Sequence, residues 1–271
     1  MKLKDAITIA KQELTSVESA AKECIWLYAK HTGKTTAQLL ANDDAKLDDA
    51  VFEDFLSRRK TNVPFEYIVN SADFYGFEFF VDERVLIPRP ETELLIDITS
   101  KISKDIGAKR VLDMCTGSGV IACTLKKLHS EFEISASDIS KKALEVAKIN
   151  AERLGCEINF YKSDIFSSIN DDSFDILTAN PPYIQNGYNL EQNVLYEPHN
   201  ALFGGDKGYE LVVDIVNGFF ERSFKAMICE FGFDQKAPID AVLRQKGGIK
   251  YEFYTDYSGF DRGFWIIKDD A

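Results

Sequence analysis

Between Arg110 and Asp138 the chain passes through an apolar run, a turn holding two glycines, a helical stretch and a second apolar run that ends on a carboxylate. The first run, Arg110-Val111-Leu112-Asp113-Met114, is short and mostly apolar, the pattern of a strand buried on both faces. Cys115-Thr116-Gly117-Ser118-Gly119 follows as the turn, and Val120-Ile121-Ala122 opens the helix. Glu133-Ile134-Ser135-Ala136-Ser137-Asp138 is the next strand. A strand, a tight turn, a helix and another strand commit the chain to an α/β sheet. Gly117 and Gly119 let the backbone come close to a ligand. Asp138 stands about 20 residues beyond them, where nucleoside-binding α/β domains carry the acceptor for ribose hydroxyls. The turn by itself suits any tight β-to-α connection; with Asp138 it favours a nucleoside cofactor.

The same alternation continues. A helix spans Ser140 to Leu154, and a third strand, Ile158-Asn159-Phe160-Tyr161, leads to Ser163-Asp164-Ile165-Phe166. Asp164 followed by bulky apolar residues suits hydrogen bonding to an adenine amino group and packing on its ring, and suits equally a helix or turn cap. Phe174-Asp175-Ile176-Leu177 is a fourth buried strand and Ala226-Met227-Ile228-Cys229-Glu230 a fifth. Tyr251-Glu252-Phe253-Tyr254 and Phe264-Trp265-Ile266-Ile267 read as a closing antiparallel edge hairpin.

Where the fourth strand ends, the chain reads Thr178-Ala179-Asn180-Pro181-Pro182-Tyr183-Ile184. Open α/β sheets bind ligands at such carboxyl ends. The two prolines lack an N–H and have a fixed φ, so the carbonyls of Asn180 and Pro181 are expected to stay outside any ladder. An exocyclic or carboxamide NH2 is a weak nucleophile because its lone pair is delocalised. Two acceptors that hold its hydrogens, Asn180 Oδ1 and the Pro181 carbonyl, would turn that lone pair toward an electrophile. Pro182 and Tyr183 complete the substrate side, Tyr183 offering a ring face to a flat amide or base and an electron-rich surface near a sulfonium. A proline-rich turn after a strand is the plain alternative.

Ahead of the sheet the periodicity is helical. Leu3, Ile7, Ala10 and Leu14, then Ala21, Cys24, Ile25 and Tyr28, then Leu47, Val51, Phe55 and Leu56 describe a small bundle over residues 1–62. Thr35-x-x-Gln38 reads as a capping box and His31-Thr32-Gly33 as a helix end. Ser57-Arg58-Arg59-Lys60 is a basic helix end that is either solvated or touches a partner. Over 63–85 the spacing of Phe65, Tyr67 and Val69, then of Tyr75, Phe77, Phe79 and Val81, predicts a β-hairpin linker. Residues 86–271 are expected to form the α/β domain. It opens with Leu86-Ile87-Pro88-Arg89-Pro90-Glu91-Thr92-Glu93, where the prolines precede an amphipathic helix. Arg89, fixed between two prolines, is a candidate substrate contact.

Several function classes drop out. Forty-four acidic against thirty-two basic residues give a net charge of −12, which disfavours tight binding to a phosphate backbone, so no nucleic acid is expected. Five cysteines, none in a Cys-x-x-Cys pair, point to neither a disulfide framework nor a zinc site. They suggest a reducing cytoplasm. His129 and His199 lack metal-ligand spacing, so no metal is expected. No stretch has the length to span a bilayer or the apolar core of a signal peptide.

The ordered set Pro88 through Glu93, Asp113 through Gly119, Asp138, Asp164, Asn180-Pro181-Pro182-Tyr183 and Glu197-Pro198 through Gly205 resembles the HemK/PrmC family, bacterial release-factor glutamine N5-methyltransferases. The resemblance spans nearly the whole chain. It implies a class I S-adenosyl-L-methionine-dependent methyltransferase fold, a Rossmann-like, mostly parallel seven-stranded sheet with an antiparallel edge hairpin, behind a helical N-terminal domain; that bundle, which carries no motif and stands apart behind the linker, is expected to recognise the substrate. The implied substrate is the glutamine of the Gly-Gly-Gln motif in peptide chain release factors. Thr116, Gly117, Ser118, Gly119 and Asp138 are then cofactor residues, Asp164 and Ile165 lie near the adenine, and Asn180 serves both cofactor and substrate. Cys115 stands where many relatives have glycine, Glu91 where many have aspartate and Ile165 where some have tryptophan. Asn-Pro-Pro-Tyr is shared with adenine-N6 and ribosomal-protein glutamine methyltransferases, so the alternatives are those two acceptors or a non-catalytic docking module.

Overall fold

The computed structural model describes residues 1–41, 45–171 and 173–269. It divides into two compact units, Met1–Ser71 with Glu191–Tyr196, and Ala72–Leu190 with Glu197–Ala271.

The first unit is helical: α1 (Leu3–Glu13), α2 (Ala20–Thr32), α3 (Thr36–Ala41), α4 (Asp49–Lys60) and α5 (Phe65–Val69). Its core collects the apolar stripe of each helix, with Leu27, Tyr28, Leu39, Phe52 and Phe55 fully buried. The capping box forms as expected: Gln38 N donates to Thr35 Oγ1 at 3.2 Å, and Thr35 N donates to Gln38 Oε1 at 2.9 Å. Gly33 ends α2 in the left-handed region. The basic helix end is tied back into its own unit. Arg59 pairs with the buried Glu23 at 2.7 Å, Lys60 with Glu13 at 2.6 Å, and Arg58 donates to the Tyr67 carbonyl at 3.2 Å.

Residues 65–69 depart from the expected strand. They form one short helix that starts after Pro64 and ends on Asn70 in the left-handed region. Phe65 and Tyr67 are buried because the helix docks on the bundle, with Phe65 edge-on to Phe55 at 6.2 Å. This packing outweighs a local alternation too short to specify a strand. The hairpin is confined to β1 (Ala72–Phe74) and β2 (Phe77–Phe79), joined by Tyr75-Gly76 with both φ positive, as a type I′ turn requires. Tyr75 is thus a turn residue, and Phe74 packs with Phe79.

The second unit is built on a seven-stranded sheet. Its strands are β3 (Arg110–Met114), β4 (Glu133–Asp138), β5 (Ile158–Lys162), β6 (Ile176–Ala179), β9 (Ala226–Glu230), β10 (Ile249–Thr255) and β11 (Asp261–Lys268). A separate small pair, β7 (Ile184–Gln185) with β8 (Phe203–Gly205), follows β6 in the chain. The order across the main sheet is β10-β11-β9-β6-β3-β4-β5. β11 runs antiparallel to both its neighbours and the remaining pairs are parallel. Alternate residues feed two cores. Val111, Ile134, Ile176 and Ile228 pack with α6 (Glu93–Ile106) and α7 (Val120–Leu128). Leu112, Leu177, Met227 and Phe264 pack with α10 (Glu210–Phe220) and α11 (Lys236–Leu243). Helix α8 (Lys141–Leu154) covers β4 and β5, its N-terminus capped by Ser140 Oγ, which accepts from Ala143 N at 3.2 Å. This layering brings the carboxyl ends of β3, β4, β6 and β9 to one edge.

Candidate active site

At that edge lies a cleft bordered by Arg89, Thr116, Gly117, Asp138, Asn180 and Pro182. Behind its Thr116 wall lies Asp113, fully buried in β3. Asp113 Oδ2 accepts from Thr116 Oγ1 at 2.6 Å, and Oδ1 accepts from Thr178 Oγ1 of β6 at 3.0 Å. Burial pushes its carboxyl up to about 7, against the pull of these hydroxyls. The carboxylate therefore fixes the start of the glycine turn to the neighbouring strand. Gly117 and Gly119 both have positive φ, and a Cβ on Gly119 would sit 3.1 Å from Ala147 Cβ of α8. Asp138 receives the turn from the other side: Gly117 N donates to Oδ2 at 2.9 Å and Ser140 N to Oδ1 at 2.8 Å. The Ile139 N–H also lowers the cost of its charge, and the carboxylate keeps part of its acceptor capacity for other donors. Asn150 clamps the same loop, its Nδ2 donating to the carbonyls of Ser118 and Phe80 and its Oδ1 accepting from Phe80 N.

Cys115, at the position where glycine was expected in relatives, has φ +57, and Ile165 has φ +47. Both are left-handed conformations that L-residues adopt at a cost. Asp164 is exposed, and its N–H donates to Ser167 Oγ at 3.1 Å while its carbonyl accepts from Ser167 N. It opens a turn and does not border the cleft, although its charge reaches Cys115. Ile165 does not border the cleft either.

The Asn180 segment is held from three directions. β6 stops at Ala179, and among the described residues no turn or loop hydrogen bond reaches the carbonyls of Asn180 and Pro181. Asn180 Nδ2 donates to Thr92 Oγ1 at 3.1 Å, and Thr92 Oγ1 donates to Glu230 Oε2 at 2.7 Å. Tyr183 OH donates to Glu230 Oε1 at 3.1 Å. Glu230 is buried at the end of β9, and desolvation drives its carboxyl up to about 7. Behind the prolines, a Cβ on Gly204 would come within 2.3 Å of the Pro182 carbonyl oxygen, and one on Gly208 within 2.4 Å of that of Tyr183. Only glycine lets those backbones meet. Gln235 Nε2 donates to the Tyr183 carbonyl at 2.6 Å. Arg89 is ion-paired with the buried Glu197, whose other oxygen accepts from Ile87 N at 2.9 Å.

The structure thus gathers Arg89, Thr116, Gly117, Ser118, Asp138, Asn180 and Pro182 around one cleft, with Pro181 and Tyr183 immediately behind. Gly119 packs under it as the first turn of α7 begins. Reading the sequence overlooked the roles of Thr92, Glu230, Gln235 and Glu197. The one local signal for Glu230 is a carboxylate closing an otherwise apolar strand. Among the described residues no three His, Cys, Asp or Glu side chains gather to hold a metal ion, and no helix is long and apolar enough to cross a membrane.

Comparison with known proteins matches the Methyltransferase small domain family over residues 90–213 and the PrmC N-terminal domain family over residues 5–69. The Release factor glutamine methyltransferase of Bacillus subtilis (strain 168) is 36% identical, with 95% of each chain covered. This chain belongs to the release factor glutamine methyltransferase family. The methyltransferase fold is also that of the E. cuniculi Mtq2–Trm112 complex responsible for methylation of the eRF1 translation termination factor. That structure is 20% identical with a TM-score of 0.51, covering 68% of this chain and 99% of that one. The N-terminal domain of human METTL16 in complex with SAH shares the fold at 18% identity and a TM-score of 0.51, covering 72% of this chain and 76% of that one. In this release factor glutamine methyltransferase family member, the cleft therefore sits at the carboxyl edge of a methyltransferase sheet.

Proposed function

We infer that this chain transfers a methyl group from S-adenosyl-L-methionine to the side-chain amide nitrogen (N5) of the glutamine in the Gly-Gly-Gln motif of peptide chain release factors. The observation that carries the reading is the Asn180 side chain. Its nitrogen is committed to Thr92, which leaves its Oδ1 as an acceptor, and the carbonyl of Pro181, the next residue, takes part in no turn or loop hydrogen bond. Together they can hold both hydrogens of a substrate carboxamide and direct its nitrogen lone pair outward. The nitrogen gains positive charge as its new bond forms, so these two acceptors grip the transition state more tightly than the ground state. Asn180 works by placement, since a carboxamide takes up no useful proton near neutral pH.

The cleft fits the cofactor. Asp138 keeps acceptor capacity for a ribose diol, and Gly117 brings bare backbone to the same edge. When bound, S-adenosyl-L-methionine supplies an electrophilic methyl on a sulfonium. Arg89, held by Glu197, steadies the Pro-Arg-Pro segment that borders the cleft. We assign the helical unit to recognition of the release factor, because its sequence carries no catalytic or cofactor motif and its match is to the PrmC N-terminal domain family and not to the methyltransferase domain. The expected compartment is the cytoplasm, in keeping with five free cysteines.

Radiolabel transfer from S-adenosyl-L-methionine to a purified release factor tests the reading, with duplex DNA and ribosomal proteins as parallel acceptors. Label is expected on the glutamine of the release factor alone. Label on DNA or a ribosomal protein, with none on the release factor, would overturn the substrate assignment. Slower hydrogen exchange in residues 1–71 on adding release factor checks the role of the helical unit.

A further inference from the structure

We propose that Thr92 and Glu230 act as a positioning relay that fixes which end of the Asn180 carboxamide faces the substrate. The proposal rests on the reading that Asn180 Oδ1 receives the substrate amide.

A carboxamide can be turned end for end about its last side-chain bond with almost no change in shape, so shape alone does not decide whether Asn180 offers an acceptor or a donor. The hydrogen-bond chain decides it. An ionised carboxylate is acceptor-only. Glu230, 1% exposed, lies 2.7 Å from Thr92 Oγ1, so it takes the single hydroxyl hydrogen of Thr92. Thr92, itself 2% exposed, then has only lone pairs to offer Asn180, and the Asn180 group 3.1 Å away must be its NH2. Oδ1 is left facing the other way. Thr92 at the cleft wall and Glu230 buried behind it thereby set the polarity of the side chain that is to receive the substrate.

The relay has its own supports. Tyr183 OH occupies the second oxygen of Glu230 at 3.1 Å, so neither carboxylate oxygen is left idle. Arg262 supplies positive charge that favours the ionised form, and it is anchored by Asp256 at 2.7 Å. Glu91 opposes ionisation, as does burial, and the other titratable groups that feel Glu230 are Tyr254 and Cys229. Once Glu230 holds a proton on Oε2 it becomes a donor to Thr92. The Thr92 hydroxyl hydrogen is then released toward Asn180, and the preference for Nδ2 at that contact is lost. The relay therefore works with Glu230 ionised and fails as Glu230 takes up a proton.

Steady-state methylation of purified release factor, with S-adenosyl-L-methionine affinity measured alongside, tests the relay. Thr92→Val keeps the shape and removes the hydroxyl; kcat is expected to fall about tenfold to a hundredfold, with KM for the release factor and cofactor affinity close to those of the unaltered protein. Thr92→Ser, which restores the hydroxyl, is expected to recover most of that loss. A Thr92→Val protein with unaltered kcat, or a Thr92→Ser protein as slow as Thr92→Val, overturns the relay. Because Thr92→Val also changes a buried contact, the pH profile is an independent measurement. In the unaltered protein kcat is expected to rise as the pH passes through about 7, and in Glu230→Gln that rise should vanish. Persistence of the same rise in Glu230→Gln overturns the relay. A silent Asn180→Ala beside a fully active Thr92→Val removes the relay alone, whereas a normal rate in Asn180→Ala removes the reading beneath it.

Discussion

Asp113 and Glu230 are chemically alike and sit on the same sheet, yet they serve different ends. Each is a carboxylate with almost no exposure, each accepts from two side-chain hydroxyls, and each is raised by burial to about 7. Asp113 lies within β3, and its partners Thr116 and Thr178 lock backbone: the start of the glycine turn and the end of β6. Glu230 ends β9, and its partners Thr92 and Tyr183 hold side chains at the Asn180 segment. A buried carboxylate under backbone shapes a site; one under a reactive side chain aims it. The first should matter to folding and cofactor binding, the second to turnover.

The largest expected effect lies on the aimed side. Asn180→Ala should cost about 10²–10³ in kcat, equivalent to about 2.7–4 kcal/mol, while cofactor affinity stays nearly unchanged; single-turnover rates with saturating cofactor and release factor measure it. If instead the loss appears as cofactor affinity, the two carboxylates no longer divide the labour as described.

Next comes Asp113→Ala, which strands two buried hydroxyls without acceptors. A destabilisation of about 2–4 kcal/mol in urea unfolding is expected. A stable variant whose defect is confined to kcat would erase the contrast with Glu230. Asp138→Ala removes a charged acceptor and should weaken S-adenosyl-L-methionine binding by about 1.5–3 kcal/mol. Calorimetry on the folded variant reads this, and an unchanged affinity takes Asp138 out of the site.

The pH dependence sharpens the comparison further. In the unfolded chain Asp113 and Glu230 release their protons near 3.8 and 4.5, but in the fold both hold them up to about 7. Raising the pH through that window ionises the unfolded chain first, so stability present below about pH 4 is lost as the pH approaches 7. Urea midpoints should therefore fall from about pH 4 to about 7, mostly ahead of the rise in turnover centred near 7, and Asp113→Asn should flatten the stability profile while leaving the rise in turnover in place. The smallest effect is at Cys115. Cys115→Gly relieves the left-handed strain and should raise stability by up to about 1 kcal/mol. A clear loss would mean that packing of the thiol outweighs the strain.

Much of the fold was legible because it is written locally. The apolar runs that became β3, β4, β6 and β9 are too short and too continuous for surface helices, and Gly117 with Gly119 marks a turn only small residues can make. The Phe65–Val69 helix was not legible, since five residues fit either period and docking on Phe55 decides between them. The Asn180 segment announced itself through its prolines and its position after a strand. Its supports did not: Thr92 and Glu230 are 138 residues apart, and nothing near either one says that they touch. Glu197 and Arg89 are likewise 108 residues apart. Asp164 carried two readings in the sequence, and its bonds to Ser167 account for the turn-forming one.

The position of β11 sets an order of events. It is the last of the described strands along the chain, yet it lies inside the sheet, pairing with β9 on one side and β10 on the other, with Gly263 opposite Glu230. It also brings Arg262, the charge that favours the ionised form of Glu230. During synthesis the parallel strands and the glycine turn emerge first, and the cofactor half of the cleft has all its parts before residues 261–268 leave the ribosome. The electrostatics around Glu230 are complete only when that strand inserts. A chain interrupted before it is left with β9 as an unpaired edge, prone to aggregate and lacking the charge that aims Asn180.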